Sequence, residues 1–536
     1  MKRLKNLRNI HKYTGQEIRE VILNKLSGIT ALNNLILCFF ILVKFILQYR
    51  MIASDYDLQR DEYLHLDQAH HLAWGFTSIP PVTSWFSWII LQLGNGEFWV
   101  KFFPALFGAL TILLVWKSIE SLKGGLFACI LGTLAMLMSV NMRINTLYQP
   151  NSLDILCWTF VFYCVVRFIQ SEKDKWLYWL AAGFAFGFLN KYNIGFLLVG
   201  LLPAVLLTEY RSLFRNRSFY RAMGIAFLLI LPNLIWQVQN GLPVATHMQE
   251  LSLQQLVNNS RIVFIKEQFL IFLPSFFLFI AVIVAFFLYK PFRPYRVIAF
   301  TYLFTISIFI YLRGKAYYAQ GLYPILVAFG AVYLESLTVK GWTRSLRLVM
   351  PLFILATGIP FLMLINPVFS PDEMQTNQHI REIYQKSGQL RWEDGKEHLL
   401  PQDYADMIGW REMARMVDNV RLKLSSEEWE QTLVICDNYG QAGAVNYYAE
   451  EYPAAVSMSA DYRNWFPGES KIIRNVLLVR EHWNSDPEAY LPYFSSVELV
   501  GTIENQLARE NGTTIHLLRN AYTPWNGVTF RQWISE

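Results

Sequence analysis

Between Leu32 and Ile365 the sequence returns about eleven times to an apolar block close to the length a bilayer demands, roughly 20 residues for a helix. Such blocks cannot all be buried in one water-soluble core, so the chain is predicted to be a mostly α, polytopic membrane protein. The candidate spans are 32–52, 99–119, 124–141, 153–169, 176–190, 194–209, 221–236, 268–289, 297–312, 318–335 and 347–366. Composition agrees: 54% of the 536 residues are hydrophobic and only 16% are charged, against about 25% charge in soluble domains. After Pro367 the apolar runs shorten. Stretches 432–436, 476–480, 497–503 and 514–518 read as strands, and 404–420 and 441–448 as helices. A C-terminal soluble α/β domain over 367–536 follows from that change.

Charge sets the expected orientation. If the basic N-terminal segment 1–31 is cytoplasmic, the inner connections up to residue 347 hold 22 Lys and Arg and the outer ones 9, as the positive-inside rule requires. An odd number of spans then puts the C-terminal domain outside a multi-pass plasma (inner) membrane protein. The first apolar stretch lacks a small-residue cleavage site, so it is read as an uncleaved span. The net charge of +6 is spread over short connections rather than gathered on one basic face, which argues against a nucleic-acid partner. The five cysteines are too scattered for a disulfide framework and are read as small buried hydrophobes.

In this orientation the conspicuous acids and histidines of the membrane half fall on the outer side. The first outer loop, 54–98, carries Asp61-Glu62 at the head of an amphipathic stretch, Asp61 to Trp74. After Pro80-Pro81 comes an aromatic-rich run, Val82 to Leu93. Two helices lying along the outer interface are expected, separated by the proline pair. A carboxylate held there can act as a general base toward an acceptor hydroxyl, which makes Asp61 and Glu62 the catalytic candidates; the bland alternative is helix capping. Glu62 and His65 also share a helix face, so a divalent metal is a candidate cofactor, although no HExxH motif or cysteine partner accompanies them. Arg143, Lys191, Arg313 and Lys315 sit in outer connections, where converging cations would hold a phosphate. Snorkelling to headgroups is their alternative role. His65, Trp74, Asp154, Tyr317 and Tyr318 complete the candidate substrate-binding set. The aromatics equally suit an interfacial belt, and Asp154 a helix N-terminus. In the last third, Asp437 to Gly443 forms a polar turn between strand and helix without a GxGxxG pattern.

These residues resemble a known group. Asp61-Glu62-Tyr63, His71-Leu72-Ala73-Trp74-Gly75, Pro80-Pro81 and the run Phe103 to Leu110 are similar to segments of bacterial membrane glycosyltransferases of the protein-mannosyltransferase-like family, relatives of the aminoarabinose transferases. Leu147 to Trp158, Asn190-Lys191-Tyr192, Pro232 to Trp236 with Asn240-Gly241, Lys315-Ala316-Tyr317-Tyr318 and Asp437 to Gly440 continue the likeness over most of the chain. The resemblance implies a GT-C architecture and inverting transfer of a sugar from a polyprenyl-phosphate donor. The acceptor would be an extracytoplasmic glycolipid, polysaccharide, lipopolysaccharide or protein. It implies further that Asp61 is the general base, and that Arg143, Lys191 and Lys315 face the carrier phosphate. One departure stands out: Ser78-Ile79 precede the paired prolines, where many members carry an acid, Lys or His. A protein O-mannosyltransferase is the alternative within the family. From other classes, a secondary transporter would need repeats with midplane charges, and a scaffold would need no base at all.

Overall fold

The computed structural model describes residues 15–254, 256–392, 394–482 and 487–535. Each of the eleven expected blocks contains a helix, but the helices are not equally long. Among the described residues seven segments are apolar and long enough to cross a bilayer, Ala31–Arg50, Glu97–Ser121, Pro150–Ser171, Arg217–Gln239, Lys290–Tyr311, Ala316–Leu337 and Gly341–Ile365. An eighth would be the pair Tyr192–Leu206 and Glu209–Arg215, which bends by 106°. The blocks 124–141 and 268–289 yield only the 12-residue helices Leu126–Leu137 and Phe277–Leu288, about 18 Å each. The second is cut short by a break at Phe272, whose backbone leaves the helical region (φ −125°, ψ 38°) ahead of the 3-10 turn Leu273–Ser275. The first is sunk among its neighbours, nine of its twelve residues being buried. Hydropathy alone does not separate a helix walled by protein from one walled by lipid.

The first helix begins earlier than expected, at Gly15, and runs to Arg50. The rest of the basic N-terminal segment, 1–14, lies outside the described residues. Cys38 faces outward on that helix while the other four cysteines are buried, which corrects the reading of all five as buried.

The loop that follows differs from two helices lying on a membrane surface. A helix runs only from Arg60 to Asp67, continues as a 3-10 turn to His70, and then gives way to irregular chain before the helix Val82–Gln92. A capping box at Gln59 starts it, the Gln59 N–H donating to Glu62 Oε2 at 2.7 Å. Every residue from Glu62 to Asp67 is buried, because the C-terminal domain closes over the side that an interfacial helix would show to water.

That domain carries a five-stranded sheet in the order β2 (Val456–Ser457), β1 (Thr432–Cys436), β3 (Asn475–Arg480), β5 (Thr514–Ala521), β4 (Phe494–Thr502). β1 pairs in parallel with both β2 and β3, whereas β5 runs antiparallel to β3 and β4. All four expected strands are present. The expected helix 404–420 is divided at Gly409, whose φ of 93° ends one turn and starts Trp410–Arg421. In open α/β sheets the carboxyl ends of parallel strands are where ligands usually sit. Here the helix Tyr439–Tyr448, which leaves the end of β1, packs instead on Arg60–Asp67 of the membrane half.

The contact is close because two glycines permit it. A Cβ on Gly440 would come within 2.5 Å of the Arg60 side chain, and one on Gly443 within 2.7 Å of Tyr63 Cβ and 3.0 Å of its carbonyl carbon. Polar pins surround the glycines: Asn446 Nδ2 and Tyr452 OH donate to the buried Asp67 carboxylate at 2.7 and 2.9 Å. Asp57 accepts the Trp410 N–H at 3.0 Å and pairs with Arg411. Gly443→Ala is therefore expected to cost about 1–3 kcal/mol through overpacking against backbone. Its lowered melting temperature, with faster proteolysis of the C-terminal domain, is the measurement that checks this; an unchanged melt would contradict it.

Candidate functional site

Asp61 lies in the first turn of Arg60–Asp67 and both its oxygens are engaged. Tyr439 OH, from the C-terminal domain, donates to Oδ1 at 2.7 Å, and Gln149 Nε2 donates to Oδ2 at 3.2 Å. Burial first, then the Asp61 charge, push the Tyr439 phenol well above its ordinary pKa, so the tyrosine stays a donor. The Arg60 guanidinium lies 4.5 Å over the Tyr439 ring.

From Gln149 the polar contacts continue in a line. Asn151 Nδ2 donates to Gln149 Oε1 at 2.8 Å, and Lys191 Nζ donates to Asn151 Oδ1 at 2.6 Å. Pro150 occupies the first helical position of Pro150–Ser171, where a missing N–H costs nothing. Gln149 and Asn151 on either side of it are thereby held toward the loop. Lys191 sits in the connection between two helices, 5.0 and 5.1 Å from the rings of Tyr317 and Tyr318. Burial pulls its pKa down to about 8, with Asp154 acting upward and Lys315 downward, which also places Lys315 within electrostatic reach. Asp154 is buried and accepts from Trp158 Nε1 at 3.0 Å and Asn193 Nδ2 at 2.9 Å. Tyr317, which closes the group, lies in the field of Asp61.

Glu62 has a different environment from its neighbour. It is fully buried; Lys101 Nζ donates to its two oxygens at 2.8 and 2.9 Å, and the Tyr148 N–H donates to Oε1 at 2.6 Å. With the Gln59 N–H on Oε2, no lone pair is left facing a substrate or a cation. His65 is buried on the same helix, and burial lowers its pKa despite the Asp61 and Asp461 charges. Among the described residues no three His, Cys, Asp or Glu side chains gather as a metal site would require, so the pair Glu62 and His65 does not fit a bound divalent metal.

The structure thus brings Asp61, Lys191, Lys315, Asp154, Tyr317 and Tyr318 around one polar seam. Arg143 is buried at its edge against the C-terminal domain, 4.0 Å from Asp403 and over the Tyr404 ring at 5.6 Å. Arg313 turns elsewhere, with a φ of 54° and its guanidinium on the Val257 carbonyl at 2.5 Å. Trp74 packs edge-on against Trp85 at 5.8 Å, and its carbonyl accepts from Asn233 Nδ2 at 2.7 Å. Sequence reasoning did not assign Lys101, Gln149, Asn151 or Tyr439 to the site. For Tyr439 a signal existed in the polar turn 437–443; for Lys101 none did beyond a charge near a span end.

A family model described as dolichyl-phosphate-mannose-protein mannosyltransferase matches residues 78–236, a range that begins after Asp61 and includes Lys101, Gln149, Asn151 and Lys191. No curated protein matches the chain. Two crystal structures of ArnT from Cupriavidus metallidurans share the fold. The one bound to undecaprenyl phosphate has 12% identity and a TM-score of 0.60, and the alignment covers 90% of this chain and 97% of that one. The apo form has 13% identity and a TM-score of 0.56 over the same shares. The chain thus shares the ArnT-like fold over nearly its whole length, carries helices long and apolar enough to cross a membrane, and matches the mannosyltransferase family model over residues 78–236.

Proposed function

We propose that the protein transfers a sugar, with inversion, from a polyprenyl-phosphate donor to an acceptor hydroxyl on the extracytoplasmic side, with Asp61 as general base. The observation that carries this reading is the hydrogen-bonded line Asp61, Gln149, Asn151, Lys191, which ties a base to a cation at opposite ends of one seam. The acceptor hydroxyl displaces one donor on Asp61 and gives up its proton as its oxygen attacks the anomeric carbon. The bond from that carbon to the phosphate breaks, and Lys191 with Lys315 stabilises the departing charge. Glu62 is a positioning residue, because its pair with Lys101 and its cap on Gln59 hold the turn that carries Asp61. ArnT in its crystal holds undecaprenyl phosphate, a carrier of the chemistry proposed here. The N-terminus is cytoplasmic and the C-terminal domain extracytoplasmic in this reading. The acceptor is a glycolipid, polysaccharide or lipopolysaccharide. The family description over 78–236 favours a protein acceptor as the second reading.

The test is incubation of purified protein with a panel of polyprenyl-phosphate sugars, following both transfer and slow donor hydrolysis, beside Asp61→Asn. Consumption of one donor by the wild type alone supports the base assignment; equal consumption by both removes it. Lys191→Met is expected to weaken undecaprenyl phosphate binding at least tenfold, the value of about one charge-assisted hydrogen bond. Because burial lowers the Lys191 pKa to about 8, wild-type binding of the phosphate should fall as pH rises through that value, and the variant should lack this dependence. Tyr439→Phe is expected to lower transfer about tenfold by freeing the Asp61 carboxylate to rotate. A wild-type rate in that variant would remove the positioning role.

A further inference from the structure

A cavity of about 580 Å³ opens where the first loop, the chain after the helix Arg217–Gln239 and the C-terminal domain meet. We propose that it binds a neutral oligosaccharide portion of the acceptor, an inference that rests on the transferase reading of Asp61. Its volume is that of a small-molecule site rather than of a surface dimple. Its walls combine flat rings with groups that both donate and accept, as a hydroxyl-rich ring with apolar C–H faces requires. The imidazole of His71 and the indole of Trp465 stack across the interface at 4.2 Å and 10°, and Trp236 forms another wall. His247, Glu250 and Arg463 supply polar contacts of both signs, which favours an uncharged ligand over a polyanion. Burial, with a smaller effect of His70, lowers the His71 pKa to about 4, and burial lowers that of His247 as well. Both rings are therefore neutral at pH 7, able to donate from one nitrogen and accept at the other.

The cavity is built rather than incidental. Asp461 is buried between its walls, accepting from Gln68 Nε2 at 2.9 Å and the Thr77 N–H at 2.7 Å, so the C-terminal domain and the loop hold each other at the spacing the cavity needs. It also lies beside the reaction site. Asp461 anchors Gln68, one residue beyond the helix Arg60–Asp67 whose first turn carries Asp61, about 12 Å for eight residues. His65 on that helix lies in the field of both Asp61 and Asp461. An acceptor with its reacting hydroxyl at Asp61 and further sugar units against Trp465 would use both, and its units beyond the first would be read by the C-terminal domain.

The experiment is titration calorimetry of the full-length protein in detergent, without donor, against maltotriose, mannotriose and chitotriose, with a serine- and threonine-rich peptide as the comparison. At least one trisaccharide should bind saturably. Trp465→Ala and Arg463→Ala should each weaken it fivefold or more. Arg463 is exposed, so its variant tests the site without threatening the fold. Slow donor hydrolysis should be unchanged in both cavity variants. Failure of all three sugars to bind, binding undiminished in both variants, or peptide binding that depends on the same residues would each overturn the proposal. Since no donor is present, this outcome is independent of whether Asp61 proves to be the base.

Discussion

Asp61→Asn is expected to lower sugar transfer by about 10²–10⁴-fold, the usual contribution of a positioned general base, with no change in melting temperature. The substitution keeps the size of the side chain and an oxygen for Gln149 Nε2, which donates at 3.2 Å. The new amide NH2 then faces the Tyr439 hydroxyl, whose oxygen can accept. What disappears is the capacity to take the acceptor's proton as the new bond forms. Slow hydrolysis of the donor by water should fall with transfer, since water needs the same base, whereas binding of the lipid phosphate should survive. Rate assays on matched preparations decide the matter: a variant that transfers as fast as the wild type would show that Asp61 is an ordinary helix-capping acid.

Lys101→Met should produce the largest loss of stability. The Glu62 side chain is fully buried and that of Lys101 is 15% exposed, so the pair is desolvated on one side almost completely. Removing the cation leaves a carboxylate with only the N–H groups of Tyr148 and Gln59. Breaking a buried pair from one side costs about 3–5 kcal/mol, because the remaining charge is uncompensated, whereas replacing both partners is far milder. Thermal unfolding in detergent should therefore rank Lys101→Met below the double variant Lys101→Met with Glu62→Gln. If the single variant melts like the wild type, Glu62 is neutralised by some other means and the clamp on the Asp61 turn does not exist. Activity should follow stability here, since Lys101 also donates to the Thr146 carbonyl at 3.1 Å and so joins the loop to the chain that presents Gln149.

Asp61 and Tyr439 are 378 positions apart, and no periodicity or spacing relates residues so distant. Along the chain Asp61 is legible as an acid at a helix start and Tyr439 as part of a polar turn, two separate features. Arg313 and Lys191 look alike there because each sits in a short outer connection. A positive charge after a span is equally suited to a phosphate or to a neighbouring carbonyl, and Arg313 took the carbonyl of Val257. The apolar spacing of Asp61 to Trp74 predicts one amphipathic helix. The chain leaves the helix after His70 instead, and Asn233 holds the Trp74 carbonyl while Asp461 holds the Thr77 N–H just beyond it, partners from elsewhere in the fold.

What the sequence determined alone is whatever depends on neighbours along the chain. Runs of apolar residues must leave water, so the membrane half and its helices were legible, as were the β-rich stretches of the last third and the change of character after Pro367. Tertiary structure decided which polar groups meet. It turned a surface-facing loop helix into one buried on both sides, assigned Glu62 to a structural pair and left Asp61 with two removable donors. It also placed the C-terminal domain against the seam, where it contributes Tyr439. The physical reason is range: hydrophobic burial acts through local composition, whereas a hydrogen bond or ion pair depends on atoms within about 3 Å, and only the folded chain sets those distances.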